Sequence, residues 1–161
     1  MSRAPSSETT TRLGPADLEA CLQLDRASVG GWWTRQQWQE EFMHPMAIGI
    51  GIDQGEDLLA MAWGRVIIEE LHISLVAVAP SQRRRGLGRR ALEELLQVSQ
   101  ERGVRAATLE VGSRNKAARS LYAAIGFHTV GVRSAYYRNG DDAFIQWLYL
   151  HGRNASVNGC G

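Results

Sequence analysis

The stretch Ser81–Arg90, "SQRRRGLGRR", crowds five arginines around a Gly-Leu-Gly in a chain whose formal net charge is only +1. Guanidinium groups offer paired N–H donors that match phosphate oxygens. Glycine lets the backbone approach a ligand closely, because no Cβ stands between them. Downstream, Ala91, Leu92, Leu95, Leu96 and Val98 recur at helical spacing, so the stretch runs into a helix N-terminus. The unpaired N–H groups and the dipole at such a terminus attract anions. Upstream lies an apolar run, "LHISLVAV", Leu71 to Val78. A strand, a basic glycine loop and a helix start together form a site for a strongly anionic group, for which a pyrophosphate is the natural guest. The plain alternative is a solvated arginine turn. The segment Gly86 to Ala91 also fits the dinucleotide pattern G-x-G-x-x-G/A, with Glu110 roughly twenty residues further on. In that pattern, however, the first glycine follows its strand almost directly. Here Ala79 to Arg85 intervene, and too little chain follows Gly86 for a doubly wound sheet with a substrate domain.

Periodicity and capping signals predict the elements that must hold this loop. Residues 1–10 are polar and Ser/Thr-rich and read as a disordered leader. Pro15 opens a first helix with Leu18, Cys21 and Leu22 on one face, and "VGGWW" (Val29 to Trp33) breaks it. Thr34 is an N-cap with Gln37 completing a capping box; Trp38 and Phe42 form the apolar side of this second helix. Ile48, Ile50 and Ile52 alternate as in a half-buried strand. A turn at Asp53 to Glu56 leads to a strand over Leu58 to Ile68, making a hairpin, and Leu71 to Val78 reads as a largely buried strand. Gly103 stops the helix that follows the arginine loop. Ala106 to Val111 is a strand, Asn115 to Ala124 a helix capped by Gly126, and Thr129 to Tyr137 and Ala143 to Leu150 the last two strands. The expectation is an α/β fold, one mixed and mostly antiparallel sheet flanked by helices, as a single domain over residues 11–151 with a flexible tail over 152–161.

Composition bounds the function. The chain has 161 residues, of which 44% are hydrophobic and 22% charged, enough apolar material for a core. Near-neutral charge argues against broad nucleic-acid binding. No run approaches the ~20 apolar residues of a membrane helix, and Met1 to Thr11 lacks a signal peptide's apolar stretch. Two cysteines, Cys21 in a helical core pattern and Cys160 in the tail, suit a reduced, cytoplasmic protein without a disulfide framework. No metal-ligand spacing is present. Asn154 starts a glycosylation pattern that matches by chance if the chain is not secreted.

Several stretches resemble a known family. Arg83-Arg84-Arg85-Gly86-Leu87-Gly88 is similar to the Q/R-x-x-G-x-G/A signature of the GNAT family of N-acetyltransferases, and "LVAVAPSQ" and "RRALEELL" resemble that family's fourth strand and third helix. "LEVGSRNKAARSLYAAIGF", Leu109 to Phe127, resembles its second signature. "LDRASVGGWWTRQQWQEEF" and "YYRNGDDAFIQWL" resemble the first loop and the end of one branch, the RimI-type ribosomal-protein alanine N-acetyltransferases. The resemblance covers about residues 10 to 150.

It implies an acetyl-CoA-dependent transfer of acetyl to an amine, with acetyl-CoA as co-substrate, by direct transfer in a ternary complex. The expected acceptor is the N-terminal alanine of the eighteenth protein of the small ribosomal subunit. Other readings are another amine acceptor, such as a lysine side chain or a small molecule, and a non-catalytic CoA-binding module. By carry-over, the backbone from Arg83 through Arg84, Arg85, Gly86, Leu87 and Gly88 to Arg89 holds the CoA pyrophosphate. Main-chain groups of Val76, Ala77 and Val78 run beside the pantetheine arm, and Asn115 contacts that arm. The matching position makes Glu110 the general base and Tyr122 the acid that protonates the leaving thiolate. From pattern alone, Glu110 reads as an outward-facing strand residue and Tyr122 as a packed helix tyrosine. Asn115 suits an N-cap as well as a cofactor contact. Trp33 and Tyr137 are the expected walls for the acceptor peptide. Two positions depart from the branch: Leu75 stands where an Asn is frequent, and "GGWW" replaces a Pro-Trp in the first loop.

Overall fold

The computed structural model describes residues 7–150. In chain order the elements are β1 (Glu8–Arg12), a 3-10 turn (Pro15–Asp17), α1 (Leu18–Val29), α2 (Arg35–Met43), β2 (Ala47–Gln54), β3 (Asp57–Ile67) and β4 (Glu70–Val78). A second 3-10 turn (Pro80–Gln82) precedes α3 (Leu87–Glu101), β5 (Ala106–Gly112), α4 (Lys116–Ile125), β6 (His128–Arg133) and β7 (Ala143–Tyr149). The strand order is β1-β2-β3-β4-β5-β7-β6. β4 and β5 run parallel, whereas β1–β2, β2–β3, β5–β7 and β6–β7 are antiparallel. This is the mixed, mostly antiparallel sheet that the sequence predicts. Among the described residues no helix is long and apolar enough to cross a membrane. The expected tail over 152–161, with Asn154 and Cys160, lies outside the described residues.

The described chain forms two compact units. One holds the chain up to Arg65 together with Ser74–Leu95, and the other holds Val66–Ile73 and the chain from Leu96 onward.

In the first unit, Cys21, Leu22, Leu24, Trp38, Met61 and Trp63 are buried in one cluster, and the core role expected of Cys21 holds. Thr34 caps α2 as predicted, its side chain accepting from Gln37 N while Gln37 Oε1 accepts from Thr34 N at 2.9 Å. Two expectations are corrected here. The leader assigned to residues 1–10 overlaps a strand: Glu8 to Arg12 pair with Gln54 to Ile50. Its threonines suit an extended edge, and the main-chain ladder holds a segment whose own side chains are little buried. The strand over Ile48 to Ile52 is buried on both faces rather than one. Its alternate positions are glycines, and that face is covered by large side chains. A Cβ on Gly49 would stand 2.5 Å from the Trp63 indole, and one on Gly51 would stand 2.8 Å from Leu13 and Leu58. β4 also departs slightly from expectation, because only Leu71, Leu75 and Ala77 are fully buried along it.

In the second unit, β4 pairs with β5 over Glu70 to His72 and Ala106 to Thr108. β5 then pairs along its whole length with β7, from Ala106 opposite Tyr149 to Gly112 opposite Ala143. Asn115 caps α4, its Oδ1 accepting from Ala118 N at 3.2 Å, and Gly126 ends the helix at φ +116°. The strand expected over Thr129 to Tyr137 stops at Arg133. Ala135 lies at φ +49°, and its N–H donates to Asp142 Oδ1 at 2.9 Å. That carboxylate holds a turn which lifts Tyr136 and Tyr137 off the ladder.

Candidate active site

The arginine loop belongs to the first unit. Arg84 (φ +65°) and Gly86 (φ +74°) both adopt left-handed backbone. The first intrahelical bond after them runs from Arg90 N to Gly86 O at 3.0 Å. The N–H groups of Leu87, Gly88 and Arg89 therefore precede the helical ladder, as donors at a helix N-terminus do. Leu87 is 2% exposed; its side chain anchors the helix in the core and leaves only its backbone to meet a ligand. The loop thus has the donors, the left-handed turns and the dipole end that an anion needs.

Most of the loop's guanidinium groups already have partners. Arg83 donates to the Ser28 carbonyl at 3.2 Å, and Arg89 pairs with Glu93 at 2.8 Å. Arg85 bonds Gln82 and Glu8, and Arg90 bonds the other oxygen of Glu8. These two cations hold the Glu8 carboxyl below its ordinary pKa, Arg90 contributing most. Glu8 lay in the expected leader, so no sequence signal tied it to the loop. On β4, the Val78 N–H donates to Ser28 Oγ at 3.3 Å. The Ala77 side chain is buried in the core cluster.

Trp33 also belongs to the first unit. Its position rests on Asp25, which is fully buried. The Asp25 carboxylate accepts from Trp32 N at 2.6 Å, Trp33 N at 3.0 Å and Trp38 Nε1 at 2.9 Å. Trp33 stacks edge-on to Trp38 at 4.8 Å between centroids. Gly30 and Gly31, at φ +80° and +91°, allow the chain to turn back over this carboxylate. A cavity of about 330 Å³ opens beside Trp33, lined also by Gln37, Glu40, Glu41, Arg65 and Ser74. Glu41 is buried and salt-bridged to Arg65 Nη2 at 2.6 Å.

The second unit brings Glu110, Asn115, Tyr122 and Tyr137 together. Glu110 is the outward-facing residue of β5, its side chain 32% exposed. The Tyr137 ring packs 3.6 Å from where a Cβ on Gly112 would stand, and Asn115 Cβ lies 4.0 Å from the same point. Tyr122 is 8% exposed and stacks edge-on to Phe127 at 5.8 Å. Burial pushes its phenol up to about 12, and nearby Tyr137 adds to the effect. The Tyr137 phenol is also raised, by burial first and then by Glu110 and Tyr136.

Two residues at this cluster were missed by sequence reasoning. Arg133 Nε lies 3.0 Å from Glu110 Oε1. The Tyr136 hydroxyl bonds the same carboxylate, which raises the Tyr136 pKa. Strand register explains the meeting. Glu110 pairs with Ile145, and Ile145 with Gly131, so the three share one face of the sheet. Arg133, two residues past Gly131, shares that face too, and Gly131 places no side chain in its path. Glu70 bonds His72 at 3.1 Å, and Glu69 lies 3.8 Å from Arg105; both pairs are on the strand-start side of β4.

A basic glycine loop feeding a helix N-terminus suits a phosphate-bearing group, and an outward carboxylate on a strand suits proton transfer with an amine. The chain belongs to the acetyltransferase (GNAT) family, whose model matches residues 17–127. It is an N-acetyltransferase. It is 30% identical over 143 residues to the [Ribosomal protein bS18]-alanine N-acetyltransferase of Escherichia coli, a match covering 87% of this chain and 96% of that protein. It is 34% identical over 143 residues to the N-alpha-acetyltransferase RimI of Mycobacterium tuberculosis, covering 84% of this chain and 89% of the relative. The crystal structure of the ribosomal-protein-S18-alanine N-acetyltransferase from Escherichia coli superposes with a TM-score of 0.83 at 29% identity. That match covers 92% of this chain and 98% of the other.

Proposed function

We propose that this enzyme acetylates the N-terminal alanine of ribosomal protein bS18, using acetyl-CoA as donor and direct transfer to the amine. The observation that carries the acceptor is the near full-length similarity to two enzymes of that kind, one named for bS18 alanine and one for α-amine acetylation. A ribosomal-protein acceptor sets the work in the cytoplasm. The N–H groups from Arg83 to Arg89 hold the pyrophosphate, because they end in free helix-terminal donors on left-handed backbone. At β4 the Val76 and Val78 backbone serves the pantetheine arm through groups other than the Val78 N–H, which Ser28 already engages. Asn115 supports the same arm from its cap position. Trp33 and Tyr137 receive the acceptor peptide.

Glu110 is the general base. An α-ammonium has a pKa near ~8, so it has to lose a proton before its nitrogen can attack the thioester carbonyl. A carboxylate on an exposed strand position accepts that proton directly or through one water. The N–C bond then forms and the C–S bond breaks. Starting from the ammonium, the nitrogen releases two protons overall. One ends on the CoA sulfur and the other in solvent. Tyr122 keeps its own proton at neutral pH, since burial holds its phenol near 12. Tyr122 therefore arrives protonated, donates a hydrogen bond to the departing sulfur and serves as the acid that protonates it, the phenol recovering a proton released by the nitrogen.

The test is steady-state acetyl transfer, followed by thiol release, on two hexapeptides. One has a free N-terminal Ala. The other has a blocked terminus and an internal Lys. Turnover of the first alone supports the proposal. Turnover of the second moves the acceptor to a side-chain amine. Turnover of neither, with acetyl-CoA still bound, moves the acceptor to another amine or leaves a non-catalytic binding role.

A further inference from the structure

The Glu110 carboxylate, though partly exposed, already has two partners. Arg133 occupies Oε1 at 3.0 Å, and the Tyr136 hydroxyl bonds the same group. The Arg133 guanidinium also lies 5.7 Å from the Tyr136 ring centroid, in cation–π range. Its side chain is 56% exposed, so it has room to leave Glu110 without leaving the Tyr136 face.

We propose that Arg133 is a positioning residue that competes with the acceptor's ammonium for the Glu110 carboxylate and so sets acceptor affinity. This inference rests on the reading of Glu110 as the base. An α-amine with a pKa near ~8 arrives mostly as ammonium at neutral pH. Its three N–H donors seek a carboxylate. A second cation at the same carboxylate is repelled by the first, so one must go. Arg133 is the one that can yield, because an exposed ion pair contributes little and its guanidinium retains the Tyr136 ring as a partner. Tyr136 bears no charge and stays, holding the carboxylate in place as the ammonium replaces the guanidinium. Among the described residues, Arg133 of β6 and the neutral phenols of Tyr136 and Tyr137 from the following turn face Glu110, and on the neighbouring β4 the Glu70–His72 pair lies beside Thr108, one position back on the same face of β5.

The experiment is calorimetric titration of the CoA-saturated protein with an otherwise uncharged, C-terminally amidated hexapeptide. One form has a free N-terminal Ala and the other the same terminus acetylated. Arg133→Met keeps the stem and removes the charge, and Arg133→Gln is a second neutral replacement should the first fold poorly. The expected result is binding of the free-terminus peptide tightened about two- to fivefold, with the acetylated peptide unchanged. In a Glu110→Gln background the same replacement should have no effect. Equal tightening of both peptides would overturn the proposal, since it would mark a general charge effect. Unchanged or weaker binding of the free-terminus peptide would overturn it as well. The base reading fails separately: Glu110→Gln would then transfer acetyl at the wild-type rate, whatever the titrations show.

Discussion

The arginine loop and the Glu110 cluster are built on opposite plans. The loop's donors come from one continuous stretch, Arg83 to Arg89, and they are mainly backbone groups. The cluster draws Glu110 from β5, Tyr122 from α4, Arg133 from β6 and Tyr136 and Tyr137 from the following turn, and it is made of side chains. A backbone site depends on local conformation, so it tolerates changes of side chain and fails when φ is restricted. A side-chain site depends on register, and it fails when a single functional group is lost.

That contrast can be broken at its strongest point first. Glu110→Gln is expected to lower kcat by about 10²- to 10⁴-fold, while calorimetry finds acetyl-CoA affinity unchanged. A parallel loss of donor affinity would mean that the two regions are not separable.

The second effect is on stability at high pH. Tyr122 in the folded protein titrates near 12, above the 10 of an ordinary phenol. From pH 10 upward the unfolded chain releases this proton and the folded one does not, so the stabilising contribution is present below pH 10 and lost as pH rises toward 12. The loss amounts to about 3 kcal/mol. Cys21, pushed up to about 12 by burial, titrates in an overlapping window, so the comparison needed is wild type against Tyr122→Phe. Denaturant titrations at pH 8.5 and 11 should show a shallower pH dependence in the variant, chosen to bracket the onset of ionisation near ~10.

Next is the loop. Gly86→Val forces a β-branched residue to φ +74°, a strain of about 1–2 kcal/mol. In acetyl-CoA titrations of Gly86→Val the donor affinity should fall about tenfold, and that of Arg84→Ala should fall less. If the arginine side chains dominated instead, Arg84→Ala would be the more damaging change. The smallest effect is expected at Glu8. Replacing it with Gln releases Arg85 and Arg90 from their carboxylate. Acetyl-CoA should then bind about two- to fivefold tighter at low salt, and the gain should fade as salt is raised. An unchanged Kd would show that those guanidinium groups take no part in holding the donor.

The two plans also explain what could be read in advance. The loop, the Thr34 capping box and the Asn115 and Gly126 caps were all legible, because each signal lies within a few residues. The leader was misread at Glu8 to Thr10 because its polar composition outweighed its threonine-rich strand preference. The Ile48, Ile50 and Ile52 alternation read as a half-buried strand because the intervening glycines carry no side chain to show that Trp63 and Leu13 cover their face.

The sequence by itself determined the arginine–glycine loop, the course of the helices and strands and an outward-facing Glu110, whereas the role of Glu110 as base came from the family resemblance. The former follow from local chemistry: periodicity, caps and glycine conformations act over one turn or one strand. Only the tertiary structure decided that Glu110 meets Arg133 and Tyr136, that Asp25 holds the first loop through three N–H donors, and that Glu8 engages two arginines of the loop. Glu110 meets Arg133 through strand register, and a shift of one residue would turn the same side chains to the opposite face. Asp25 reaches its three donors across the turn at Gly30 and Gly31, and Glu8 meets Arg85 and Arg90 across more than seventy residues of chain.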